Sequence, residues 1–217
     1  MPALPDQFFH TTPLHYAPYL LATGAIYSQA ELRRLELPIT PRPTAAHRDR
    51  KLGLDRFVHL SFAPQTPLLK DKLARGFPHV LLVFGAEIAR EPDAAFVRYN
   101  AKAWRHREEF APIREEAEKA AFLAEWQQGR YPSAELLIEN ALPLLPHGRE
   151  VWVGSDAEQD WLTGLLQDVG ISCMLPVRVA ELLARDTPVP VASELMEYRN
   201  ACQLSGQIVA PPSLPFD

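Results

Sequence analysis

Residues 131–139 read YPSAELLIE, and the interpretation of the whole chain depends on them. Glu135 stands between a Pro-Ser turn and a run of large apolar residues. Taken alone, residues 133–142 have the pattern of a capped helix, with Glu135 as an ordinary first-turn acid that the helix dipole favours. The alternative is an element that holds Glu135 beside the core, facing a group that needs its charge. The choice between these alternatives depends on the rest of the chain.

Composition limits the classes of protein to be considered. A chain of 217 residues suits one domain, and we expect a single domain over 1–217, with its core at about 7–180 and a C-terminal extension at 188–217. Two cysteines are too few for a disulfide framework or a zinc cluster, so no metal is expected. No apolar run could span a bilayer and no signal peptide is present, which predicts a cytoplasmic protein.

Charge restricts the possible contact with nucleic acid. The net charge is −5 and the isoelectric point is about 5.8. A protein that binds nucleic acid over its whole surface would usually be basic. Local basic strips could still bind a short single strand.

Strands and helices are interleaved without the steady alternation of a doubly wound fold, which predicts an α+β protein. Residues 79–84 are continuously apolar, the mark of a buried central strand. Further strands are predicted at 7–11, 57–62 and 150–153, and helices at 14–24, 28–35, 66–74, 156–169 and 193–204. No G-x-G-x-x-G sequence and no P-loop occurs, so neither nucleotide site is supported.

Two short segments could carry chemistry. His10 and Thr12 are two apart on a predicted strand and point to the same side, where they could hydrogen-bond a ribose hydroxyl or a carboxamide. The alternative for His10 is a histidine bonded to backbone at a strand end. Arg48 and Arg50 lie in a basic loop that could clamp a pyrophosphate. For that loop the alternative is a solvated run of charge.

A third segment, residues 104–107, combines tryptophan with arginines and a histidine. Trp104 and Arg105 could stack on and pair with a nucleic acid strand. A helix surface paired with Glu108 and Glu109 explains the same residues equally well.

Several motifs in a fixed order indicate a family. The chain has an aromatic-His-x-Thr start at 9–12, a helix that ends at Gly24, an arginine-bearing loop, FVHLSFAPQTPLL at 57–69 and AELLI at 134–138. In that order and rough spacing it resembles DarT, the DNA ADP-ribosyltransferase toxins. DarT proteins carry a His-x-Thr start, a strand leading into Phe-Ala-Pro-x-Ser-Pro-Met-Leu, and an Ala-Glu-Phe-Leu-Val segment with the catalytic glutamate. The likeness covers roughly residues 8–180.

The resemblance implies a split central β-sheet with flanking helices, and NAD as co-substrate. It implies that Glu135 is the catalytic acid on a strand, with Arg48 or Arg50 as the family's arginine. The residues it implies for NAD binding are His10, Thr12, Gly24, Ser61 and Phe62. Those it implies for the substrate are Trp104, Arg105, Arg130 and Tyr131.

The implied function is NAD-dependent ADP-ribosylation of a nucleobase in single-stranded DNA, by a toxin that a macrodomain antitoxin would neutralise. Two features depart from the family. His59 and Ser61 occupy positions that are often aromatic or proline, and the basic cluster before the glutamate is reduced to Arg130. Two alternatives therefore remain: transfer to RNA, protein or a small molecule, or a non-catalytic binding or immunity module on the same scaffold.

Overall fold

The computed structural model describes residues 3–37, 46–100, 111–185 and 193–211. The strands of these residues are β1 (Gln7–Pro13), β2 (Ala25–Tyr27), β3 (Phe57–Ser61), β4 (His79–Gly85), β5 (Ala95–Val97), β6 (Glu135–Glu139), β7 (Ala141–Pro143), β8 (Gly148–Val153) and β9 (Val177–Val179). The α-helices are α1 (Ala17–Thr23), α2 (Gln29–Arg34), α3 (Ala46–Leu52), α4 (Pro67–Ala74), α5 (Glu116–Gln127), α6 (Asp156–Asp168) and α7 (Ser193–Ser205). None of the helices described is long and apolar enough to cross a bilayer.

Seven strands form one sheet in the order β5-β6-β3-β1-β4-β8-β9, and β2 pairs with β7 in a small second sheet. Neighbours in the large sheet are antiparallel except β8 and β9, which are parallel. All seven residues of β4 are buried, as expected of a central strand. The α+β fold class predicted from the sequence is confirmed.

Side chains alternate between the two faces of the sheet, and helices cover both faces. On one face, Phe8 and Leu82 pack in the main core with residues of α1 and α6. On the other face, Phe9 and Val83 pack with Leu69 of α4. Helix α7 joins the main core through Leu195, Tyr198 and Cys202.

The sheet is weakly joined between β1 and β3. Strand β1 pairs with β4 at seven positions, but with β3 only where Phe9 faces Ser61. At the next residue the contact is made by a side chain: Nδ1 of His10 donates to the carbonyl of His59 at 3.1 Å. The sheet therefore opens between these two strands beside His10.

Local signals placed most elements correctly. The helix predicted at 14–24 ends at Gly24, which has a left-handed φ of 70°, and the Ser28 and Thr66 side chains cap α2 and α4. The helical interpretation of 133–142 is wrong, because these residues form β6 and β7. The reason is tertiary: Leu136, Leu137 and Ile138 are all buried, on both faces of a strand that lies between β3 and β5. Burial on both faces overrides the local helical pattern.

Candidate active site

Pairing between strands brings the two halves of the predicted site together. Ser61, the last residue of β3, pairs with Phe9 of β1 on one side and with Glu135 of β6 on the other. His10 follows Phe9 directly, and the charge of Glu135 acts on the His10 ring, so the two residues lie near each other at the opening of the sheet. The catalytic interpretation required Glu135 on a strand near His10, and the structure has this arrangement.

His59 connects both residues. Its backbone carbonyl accepts from His10, and its ring Nδ1 lies 2.8 Å from Oε2 of Glu135. Its other nitrogen, Nε2, lies 3.1 Å from the carbonyl of Leu54. Because both partners are acceptors, both ring nitrogens carry a proton, and His59 is an imidazolium. Burial disfavours this charge, but the charge and hydrogen bond of Glu135, with smaller effects from Asp49 and Leu54, raise the pKa of His59 to about 9.

His10 is in the opposite protonation state. Burial outweighs the hydrogen bond to the His59 carbonyl and lowers the pKa of His10 to about 4, so the ring is neutral at pH 7. The carbonyl fixes the tautomer, because Nδ1 must be the donor. The remaining nitrogen, Nε2, is then an acceptor, which fits a hydroxyl donor such as that of a ribose.

Helix α3 turns an acid toward these residues. Asp49 is 8% exposed, whereas Arg48 and Arg50 on the same helix are exposed. Burial raises the pKa of Asp49 to about 6, opposed by the charge of His59 and reinforced by that of Glu135. A catalytic role for Arg48 or Arg50 stays a prediction.

The structure describes three further predicted residues, of which Ser61 is placed at the opening by its strand pairing. Thr12 is buried on β1. Ser61 lies between β1 and β6, and its hydroxyl accepts from the backbone of Ala63 at 3.2 Å. Gly24 ends α1, and its carbonyl accepts from the backbone of Leu144. Their roles in NAD binding are not decided by these contacts and stay predictions.

Phe62 lies in the core, 5% exposed. Its ring packs edge-on against Phe8, Phe96, Phe122 and Trp126 at centroid distances of 4.9–5.6 Å. Such edge-to-face contacts stabilise aromatic cores. The structure thus places Phe62 in the main core, and its role in NAD binding stays a prediction.

The turn before β6 is built around Tyr131. Its backbone has a left-handed φ of 59°. Its ring stacks on Phe122 and contacts Tyr99 edge-on. Glu125 of α5 accepts from the Tyr131 hydroxyl at 2.6 Å and from Arg130 at 2.8 Å. The turn is thus held close to Glu135 with its aromatic and basic groups in place. Trp104 and Arg105 lie outside the described residues.

Sequence reasoning gave no role to His59 or Asp49. The signal for His59 was its alternation with Ser61 on β3, which places both side chains on the face that carries Glu135. Asp49 offered only its position as the single acid of a basic run. In the described part of the chain, no three metal-binding side chains cluster.

Comparison with solved structures gives specific neighbours for this fold. Thermus sp. 2.9 DarT in complex with ADP-ribosylated ssDNA has a TM-score of 0.61 and 17% identity, covering 83% of this chain and 96% of that chain. The complex of Thermus sp. 2.9 DarT with NAD+ has a TM-score of 0.62 and 16% identity, covering 85% and 100%. Thermosipho africanus DarTG in complex with ADP-ribose has a TM-score of 0.64 and 16% identity, covering 82% of this chain and 50% of that chain.

No protein-family model and no curated protein matches the sequence. At 16–17% identity the structural likeness establishes the fold. It confirms both the predicted fold class and the predicted resemblance to DarT at the level of the fold.

Proposed function

We propose that this chain is an NAD-dependent ADP-ribosyltransferase that modifies a nucleobase of single-stranded DNA. The observation that carries the proposal is the chain of contacts that links His10 through His59 to Glu135 at the opening between β1 and β3. Support comes from the fold, which is shared with DarT structures in complex with NAD+ and with ADP-ribosylated ssDNA.

The hydrogen-bonding groups at the opening fit the nicotinamide ribose of NAD. Nε2 of His10 is an acceptor for one ribose hydroxyl. Glu135 uses Oε2 for His59, so Oε1 is available to a second hydroxyl. The cations of Arg48 and Arg50 on the outer side of α3 suit a pyrophosphate.

The reaction breaks the bond between C1′ of the ribose and the nicotinamide nitrogen, whose electron pair leaves with neutral nicotinamide. Positive charge then develops on the ribose, and the carboxylate of Glu135, fixed at a strand end, stabilises it electrostatically. A nucleophilic atom of the acceptor forms the new bond to C1′ and loses its proton. The products are nicotinamide, the ADP-ribosylated acceptor and a proton.

The acceptor would approach from the turn before β6. The Tyr131 ring is packed on Phe122, so the surface proposed to meet an unstacked base and its backbone is the edge that Tyr131 forms with Tyr99, together with the cations of Arg98 and Arg130. An enzyme that acts on a base must remove it from the stack, which costs least in a single strand. With a net charge of −5, binding must depend on local contacts of this kind. Trp104 and Arg105 are proposed to add to them.

The test compares acceptors directly. The chain is incubated with NAD labelled in its adenylate part and, in separate reactions, single-stranded DNA, the same sequence as duplex, single-stranded RNA and lysate protein. We expect label on single-stranded DNA with the wild type and none with Glu135→Gln. Label on RNA or protein instead would support the alternative acceptors. Absence of nicotinamide release in every reaction, with no thermal stabilisation by NAD, would support a non-catalytic module.

A partner is proposed on the same basis. A macrodomain antitoxin would remove the ADP-ribosyl group from DNA, so the modified oligonucleotide is the reagent that tests it. Incubation with a DNA-directed macrodomain hydrolase should regenerate the unmodified strand. A strand that stays modified would contradict this part of the proposal.

A further inference from the structure

His59 is a charged group at the opening that the proposed reaction does not use. Because it contacts Glu135 directly, it can act on the reaction only through that acid. We infer that His59 is a positioning residue, which holds the Glu135 carboxylate with Oε1 toward the ribose and ties it to the turn after α3. This inference rests on the proposed function and extends it.

Strand register places the two side chains within reach. Ser61 pairs with Glu135 and His59 pairs with Leu137, so His59 and Glu135 are diagonal neighbours on one face of the β3–β6 ladder. Diagonal neighbours can meet when the side chains are long. The contact follows from backbone pairing that is five residues long, so it is a built feature of the sheet.

The imidazole ring is held at both ends. Nδ1 donates to Glu135 at 2.8 Å and Nε2 donates to the Leu54 carbonyl at 3.1 Å. Leu54 begins the short 3-10 helix Leu54–Arg56, two residues after α3 ends. Fixing Nε2 fixes the direction of the Nδ1 proton, and this determines which oxygen of Glu135 stays available. The side chains of His59 and Glu135 are only 26% and 17% exposed, so this pair is less screened than a surface ion pair.

The charges around His59 show which groups its imidazolium faces. Glu135 on β6 and Asp49 on α3 both raise the pKa of His59, and the charge of Asp55, beside Leu54, acts on Asp49. His10 on β1 is neutral. Of the two acids that act on His59, Glu135 is the one hydrogen-bonded to its ring, so the cation and its donor are directed at the acid that the proposed reaction uses.

The kinetic test uses two substitutions of His59. Asn places an amide N–H close to the position of Nδ1–H, whereas Leu provides no donor and no charge. With Leu we expect kcat for NAD to fall roughly 10- to 100-fold, as for the loss of a hydrogen bond to a charged group, with little change in KM. The wild-type kcat should also fall as the pH rises through about 9, where His59 loses its proton, and this fall should be absent in His59→Leu. Asn should recover a large part of kcat.

A matched control is available in a second histidine–glutamate pair. Nε2 of His147 lies 3.2 Å from Glu91, outside the site. His147→Asn should leave both kcat and its pH profile unchanged. Equal losses in His59→Asn and His59→Leu, with the fall of kcat near pH 9 retained in both, would show a structural role only and overturn the inference. Unchanged kinetics in His59→Leu would overturn it as well.

A spectroscopic test needs no turnover. In chain labelled with ¹⁵N-histidine, with His59 assigned from the His59→Asn spectrum, both ring nitrogens of His59 should carry protons at pH 7. In Glu135→Gln the ring should lose a proton at a distinctly lower pH than in the wild type. A His59 ring that is neutral at pH 7 in the wild type would overturn the inference. If the wild type consumes no NAD but His59 titrates as expected, the proposed function is wrong, whereas the His59–Glu135 ion pair is confirmed.

Discussion

The His59–Glu135 pair makes a quantitative prediction about stability. Glu135→Gln removes the anion that stabilises the imidazolium. In the wild type the pKa of His59 rises from 6.5 to about 9. At ~1.4 kcal/mol for each tenfold change in proton concentration, that rise corresponds to roughly 3 kcal/mol. A quarter of the His59 side chain is exposed, and Asp49 still faces it in the variant. We therefore expect the pH-dependent part of the difference in free energy of unfolding between wild type and Glu135→Gln to be about 2 kcal/mol.

The direction follows from proton binding in the two states. Between pH 6.5 and about 9 the folded chain holds a proton on His59 that the unfolded chain has lost. The pair therefore contributes its full stability below pH 6.5, and this contribution disappears as the pH rises through about 9. The free energy of unfolding of the wild type should exceed that of Glu135→Gln by the largest margin near pH 6.

Urea unfolding at half-unit intervals from pH 6 to pH 9.5, followed by circular dichroism, measures this margin. The wild-type advantage should shrink by about 2 kcal/mol across the series. Curves that stay parallel over the whole range would refute the reasoning, because His59 would then have no charge to lose. A margin that grows with pH would refute it too.

Three further predictions concern neighbouring residues. Phe62→Ala should lower the free energy of unfolding by about 3–5 kcal/mol in urea titrations, because the side chain fills the aromatic core; a change near zero would show that Phe62 is not packed there. Tyr131→Phe loses the hydroxyl bond to Glu125, which should lower the free energy of unfolding by about 1 kcal/mol and leave the affinity for single-stranded DNA unchanged. Tyr131→Ala also removes the ring, which should weaken binding of single-stranded DNA by about 1–3 kcal/mol, measured by fluorescence anisotropy. Equal affinity of the two variants would exclude a stacking role. Asp49→Asn should lower the pKa of His59 in an NMR titration, because one facing anion is removed, and an unchanged midpoint would show that Asp49 does not act on it.

The sequence was informative wherever a short segment determines its own structure. The apolar run of β4 and the Ser28 and Thr66 caps required no knowledge of the rest of the chain. The local pattern of residues 133–142 indicates a helix and is wrong, because their strand conformation depends on burial between β3 and β5. Glu135 was placed on a strand only by the resemblance to DarT, against its local pattern.

The candidate site was predictable only in part, for a related reason. His10 and Glu135 followed from motifs of that resemblance. His59 could not be given a partner, because its contact with Glu135 exists only through the register of β3 against β6. Likewise, Asp49 is buried while Arg48 and Arg50 are exposed because of the way α3 packs on the rest of the chain, which the local sequence does not determine.

The central claim is that Glu135 acts on NAD at the opening of the sheet. Nicotinamide release, measured with single-stranded DNA present, tests it most directly when wild type and Glu135→Gln are compared at equal concentration and confirmed folding. Loss of a fixed charge that stabilises a transition state should slow release by about 10²–10³-fold. Equal rates in the two proteins would contradict the account.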